Sequence, residues 1–341
     1  ERRSVLRAFG RLPQAVEFQA HLFQTQTLPQ RVRQHDHLGI DFCSTPYSFA
    51  EIDELLSLDN VPFIKIASIG TLADVVPLVG ENRIIAKLGL QMLTKGPHKV
   101  GRRALLEAAG RNGKTIDSYH ISFMLAPRVN AAGRMSTPDL ATRLLLASDE
   151  SLADEARILA QQLDAENVRR QEEEAEILKA ARKVVQTDPD VGAHQVLVVA
   201  GAGWHRGVIG IVASKLVETY HKPAIVFSIE NGVLRGSARS IPTFDLLAGL
   251  ETCADVLEQF GGHKVAAGVT LEHARFDEFR RRFLACANER LSPSDFVPRL
   301  RIDAPLDLRD ISSDVVHGLS KLGPFGAANP KPIFRTSPVD L

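Results

Sequence analysis

The chain has 341 residues, more than one domain usually holds, so two domains with separate cores are expected. Lys plus Arg and Asp plus Glu number 41 each, which excludes a polybasic protein held to nucleic acid by bulk charge; any polyanion site must be local. Hydrophobic residues make up 44%, no apolar run nears the roughly 20 residues of a membrane span, and no signal-peptide core is present, so a soluble cytoplasmic protein is expected.

The first fifty residues hold six Gln and no Lys, against seven Gln in the other 291, and no helix or strand period persists there. Then a helix is expected over 50–58, a strand over 63–69, a turn and helix over 71–78 and an amphipathic helix over 82–94. Residues 128–135 read as a loop with two arginines. A helix is expected over 138–185, broken near 148–151, where Ser148 and Asp149 suit an N-cap. Its second part carries Arg169, Arg170, Glu172, Glu173 and Glu174 on what read as outer faces, as in an inter-domain helix.

A second α/β unit follows: strand 195–200, loop 201–207, helix 208–220, strand 224–228, an Asn231-Gly232 hairpin turn and strand 233–236. Next come a helix over 244–260, Gly261-Gly262-His263 joining it to a strand over 265–271, and a helix over 275–290. From 296 the chain turns strand-like and proline-rich. Cys43, Cys253 and Cys286 are too few and scattered for a disulfide framework or thiolate metal site.

Gly201, Gly203 and Gly207 do not have dinucleotide-fingerprint spacing, which leaves either an anion site at a helix N-terminus or a plain tight turn. Gly236-Ser237-Ala238-Arg239-Ser240 pairs an Arg fork with hydroxyl donors, suited to a phosphate or, for the arginine, to a surface carboxylate. His263 follows two glycines, as a crevice residue or as loop packing. Asp74, the one carboxylate of an apolar stretch, suits either a divalent cation or a helix N-terminal cap. Arg128, Asn130 and Arg134 suit either a polyanion clamp or a self-tied loop.

Five segments in order, 69–78, 128–135, 203–213, 236–241 and 261–268, together resemble the bacterial RecJ single-stranded-DNA-specific exonucleases of the DHH phosphoesterase superfamily. The resemblance covers about residues 51–341. It implies an α/β fold: part of a DHH catalytic domain with a parallel sheet over 51–137, connecting helices over 138–190, a DHH-associated domain over 191–290 and the start of an oligonucleotide-binding β-barrel over 291–341. Implied activity is 5′ to 3′ hydrolysis of single-stranded DNA in repair and recombination, with two Mn²⁺ or Mg²⁺ ions. The implied partners are single-stranded DNA bearing a 5′ phosphate and possible single-strand-binding or helicase proteins; a monomer and no membrane are expected.

By motif match, Asp74 is the catalytic metal ligand, Arg134, Ser237 and Arg239 hold the terminal phosphate, and His205 and His263 line the crevice. Arg128, Asn130 and Ser240 complete the expected substrate set. The family's earlier metal-binding motifs are not recognisable before Phe49; His35-Asp36-His37 has the residue types in the wrong order, and the first fifty residues read as non-homologous. Impaired activity is therefore expected. A non-catalytic single-strand-binding remnant, or a DHH phosphoesterase acting on short oligonucleotides, are the alternatives.

Overall fold

Helix α1, Pro62–Ala73, buries Ile64, Lys65, Ser68, Ile69 and Leu72, a helical stripe, in the computed structural model, which describes residues 62–337. The strand expected over 63–69 is therefore a helix: seven mostly apolar residues fit either element, and the stripe running on to Leu72 decides it. Helix formation stops at Asp74, so the helix expected over 71–78 is only the last turn of α1. The helix expected over 50–58, Cys43 and the His35-Asp36-His37 triplet lie outside the described residues.

Helix α2, Gly80–Lys95, matches its sequence period and packs on α1 through Gly89, where a Cβ would stand 2.0 Å from Ser68 Oγ. Ser68, fully buried, donates to the Lys65 carbonyl at 2.9 Å. Both helices belong to one compact unit, described within 62–98, 111–126 and 313–331. No strand lies among the described residues up to 137, so the parallel sheet expected there is not found among them.

The second unit covers 99–110, 127–312 and the described residues from 332. It holds α3 (Val100–Ala108), most of α4 (Ala126–Met135), α5 (Asp139–Leu146) and α6 (Ala153–Thr187). The loop expected over 128–135 is the helix α4; its Asn and Gly lower helix propensity, but Ala131, Ala132 and Met135 are buried, and packing wins. The break before α6 falls where expected: the Asp149 carboxylate accepts from the Ser151 N–H at 2.8 Å.

At 35 residues, α6 spans about 50 Å. Its buried stripe includes Leu159, Leu163, Asn167, Glu174, Ile177 and Ala181. Arg170 and Glu174 thus face inward, not outward as the sequence suggested.

The unit's sheet has the order β1-β2-β3-β5-β4, from β1 (Leu197–Ala202), β2 (Ala224–Glu230), β3 (Val233–Arg239), β4 (Gln259–His263) and β5 (Ala266–Glu272). Strands β1 and β2 are parallel, joined through α7 (Arg206–Tyr220), and the other pairs are antiparallel. Asn231 and Gly232, at φ 50° and 79°, close the β2–β3 hairpin. One sheet face packs Leu197, Val199 and Val226 against α6 and α7. The other packs Ile225, Phe227 and Leu234 against Phe279 and Phe283.

The helix expected over 244–260 is short: α8, Leu246–Glu251, capped by Asp245, is followed by a 3₁₀ turn and then β4. Gly261, Gly262 and His263 therefore lie in an edge strand, because pairing with β5 satisfies their backbone better than a helix containing two glycines. Helix α9 is Phe276–Arg290. Beyond it lie two-residue strands, Ala304–Pro305 and Phe334–Arg335. No helix among the described residues is long and apolar enough to cross a membrane.

Candidate phosphate-binding face and its family

Alternation along β3 sends Arg235, Ser237 and Arg239 to the sheet face covered in part by α7, and Leu234 and Ala238 into the opposite core. Helix α7 reaches this face through Gly210, whose missing Cβ would stand 2.9 Å from Ser237 Oγ and 3.2 Å from Arg239 Nη2. Arg239 Nη1 donates to Ser237 Oγ at 3.2 Å and to the Ala238 carbonyl at 2.8 Å. This fixes the fork and leaves other guanidinium donors for a ligand.

Arg134 meets the first turn of α7: its Nη1 donates to the Gly207 carbonyl at 3.1 Å, and a Cβ on Gly207 would strike the Arg134 carbonyl at 2.3 Å. Burial lowers the Arg239 guanidinium below its ordinary pKa, and the charge of Arg134 lowers it further. Burial also lowers Arg134, and Arg170 adds to this while Glu174 opposes it. Two half-desolvated cations close enough to repel make a place where an anion is favoured.

His205 caps α7, its Nδ1 accepting from the Gly207 N–H at 3.1 Å, so the proton of the neutral ring belongs on Nε2. Arg128 pairs with Asp164 at 2.8 Å. Helical spacing places Asn130 with Arg134 on one face of α4 and turns Arg128 away from it. The Ser240 hydroxyl donates to the Phe244 carbonyl at 2.9 Å, so its proton is spent on a loop and Ser237 supplies the hydroxyl of this face. His263 is exposed in the cross-strand row Arg239–Ala266–His263.

Sequence reasoning missed the support beneath the arginines. Glu174 pairs with Arg170 at 2.5 Å and with Lys215, and Arg170 Nη2 donates to Asn167 Oδ1 at 3.1 Å. An Asn, an Arg and a Glu at 167, 170 and 174 are spaced as one helical face, the signal that was available.

In the first unit, Asp74 follows the last residue of α1, and its N–H donates to the Gly70 carbonyl at 3.0 Å. The N-cap alternative is thereby removed, since a carboxylate at a helix C-terminus opposes the dipole. Val75 beside it has φ 53°, a strained left-handed conformation for a β-branched residue. Among the described residues no group of three His, Cys, Asp or Glu is placed to hold a metal ion, so they do not fit a two-metal centre. A cavity of about 940 Å³ in this unit is lined by apolar groups such as Leu90, Tyr119, Phe123 and Phe325, together with Lys87, Lys95, Lys331 and Asp117.

Residues 193–289 match the DHHA1 domain and residues 302–341 the RecJ OB domain. The chain is 40% identical over 283 residues to the single-stranded-DNA-specific exonuclease RecJ of Bacillus subtilis, covering 82% of this chain and 34% of that protein. It is 36% identical over 280 residues to the Escherichia coli RecJ, covering 80% of this chain and 48% of that one. Over the matched residues the chain is RecJ-like. The crystal structure of Thermus thermophilus RecJ in complex with Mn²⁺ matches 89% of this chain and 41% of its own length, at TM-score 0.71 and 33% identity. A RecJ complex with Mg²⁺ matches equally well, at TM-score 0.71. The chain spans about a third to a half of the length of these RecJ relatives.

Proposed function

We propose that the chain serves 5′ to 3′ hydrolysis of single-stranded DNA, as a RecJ-type exonuclease in repair and recombination, and that its second unit holds the 5′ phosphate. The observation that carries this reading is half-buried Arg239, with Ser237 beside it on the sheet that matches the DHHA1 domain, together with half-buried Arg134 of α4, whose charge acts on Arg239. The two guanidiniums supply charged donors, Ser237 a neutral one, and His205 and Asn130 flank them. Holding the strand end fixes which phosphodiester is presented for attack by water. Asp74 is the one carboxylate the family motif assigns to metal. The RecJ structures hold Mn²⁺ or Mg²⁺, and the described residues of this chain do not complete a site for either ion. Action in the cytoplasm beside single-strand-binding or helicase proteins belongs to the same reading.

The test is release of mononucleotides from a 5′-phosphorylated single-stranded oligonucleotide with Mn²⁺. Release abolished by Asp74→Ala supports the reading. Single-strand binding that survives chelation, falls on Arg239→Ala and brings no release would replace it with a non-catalytic binding module. Release confined to very short substrates would indicate an oligonucleotide phosphoesterase.

A further inference from the structure

One buried carboxylate, Glu174 of α6, stands among the cations of the second unit. Its Oε2 pairs with Arg170 Nη1 at 2.5 Å, and its Oε1 pairs with Lys215 Nζ of α7. Asn167 holds Arg170 from the other side, and Arg170 and Glu174 are nearly buried while Lys215 is about half exposed. Among the described residues no other carboxylate pairs with either cation. These groups reach the clamp in two ways. Lys215 lies on the helix whose Gly207 carbonyl accepts from Arg134 and whose Gly210 sits against Ser237 and Arg239, about 12 and 8 Å back along its axis. The charges of Arg170 and Glu174 both act on Arg134, in opposite senses, and that of Arg134 acts on Arg239. Arg170 and Lys215 thus share one anion, and Arg134 and Arg239 are left to a phosphate. A mononucleotide cut from a strand end takes with it the phosphate the clamp held, so a clamp with all four cations unopposed would retain its product.

We infer that Glu174 limits the affinity of the clamp for a terminal phosphate, by neutralising Arg170 and Lys215, and so lets the 5′ mononucleotide leave. The inference rests on the phosphate reading above. Glu174 is a positioning residue: it touches no phosphate and acts through the cations.

Competition by 5′-thymidylate against a labelled 5′-phosphorylated single-stranded oligonucleotide, on the full chain, tests it. Glu174→Gln and Lys215→Met break the same α6–α7 contact but change the local charge in opposite directions. Glu174→Gln should tighten thymidylate about fivefold, and Lys215→Met should weaken it about threefold, less because Lys215 is half exposed. A contact that only docked α6 on α7 would move both variants the same way. Arg170→Met with Glu174→Leu removes both buried charges and orphans neither, so it should fold and bind thymidylate within about twofold of the parent. If Glu174→Gln does not fold, loss in Lys215→Met with parent-like binding in the double variant supports the inference. Weaker or unchanged binding in Glu174→Gln, or a loss of about fivefold or more in the double variant, overturns it and leaves the clamp standing so long as Arg239→Ala weakens thymidylate. If Arg239→Ala changes nothing, the clamp reading fails and this inference with it.

Discussion

Gly210 of α7 lies so close to Ser237 of β3 that a Cβ on the glycine would stand 2.9 Å from the serine Oγ. This contact lets a helix pass over a face that has to keep its hydroxyl and guanidinium in place. Gly210→Ala gains helix propensity, about 1 kcal/mol, but pushes Ser237 and Arg239 aside. The expected outcome is a thermal midpoint close to that of the parent with roughly fivefold weaker binding of a 5′-phosphorylated oligonucleotide, a loss of about 1 kcal/mol. Anisotropy titration beside a thermal melt checks it.

Glu174 counterbalances the cations behind the clamp. Glu174→Gln keeps the shape but leaves Arg170 in a buried place without its partner, and an orphaned buried charge costs about 3 kcal/mol. Chemical denaturation should show that loss. Glu172→Gln, on the exposed side of the same helix, should change stability by less than about 0.5 kcal/mol.

Val75 holds a left-handed backbone beside Asp74. Val75→Gly removes the steric cost of that conformation and should raise stability by about 1 kcal/mol, read as an increase in denaturation midpoint. Val75→Pro, whose ring cannot adopt that φ, should lower it.

Burial raises the Cys253 thiol above its ordinary pKa. The unfolded thiol ionises near about 8.5, while the folded one keeps its proton to higher pH. Stability from this group is thus complete below that value and falls as pH rises toward the folded pKa, by at most ~1.4 kcal/mol per pH unit. Cys253→Ala should flatten the slope of stability between pH about 8.5 and 10 relative to the parent.

The sequence pattern was sufficient where many residues repeat one period. Helices α2 and α6, the Asn231-Gly232 hairpin and the α7 crossover stand where expected. It failed at 63–69, where a short apolar run fits two periods, and at 244–260, where a helical pattern ends in glycines that pair as an edge strand. Within the candidate site, the juxtaposition of Ser237 and Arg239 was legible, because two residues two apart on a strand share a face. The burial of Arg170 and Glu174 was not, because two opposite charges on a charged helix look the same whether solvated or paired inside. The loop partner of Ser240, the Phe244 carbonyl, was not legible either, because a hydroxyl next to a motif arginine carries no sign of which group it will donate to.

The most direct test of the account is the difference in affinity between one single-stranded oligonucleotide with a 5′ phosphate and the same strand with a 5′ hydroxyl, for the parent and for Arg239→Ala. The clamp predicts that the parent prefers the phosphorylated strand by about tenfold or more, and that Arg239→Ala binds the two strands nearly alike. Equal affinity in the parent, or a preference that survives Arg239→Ala, would contradict it.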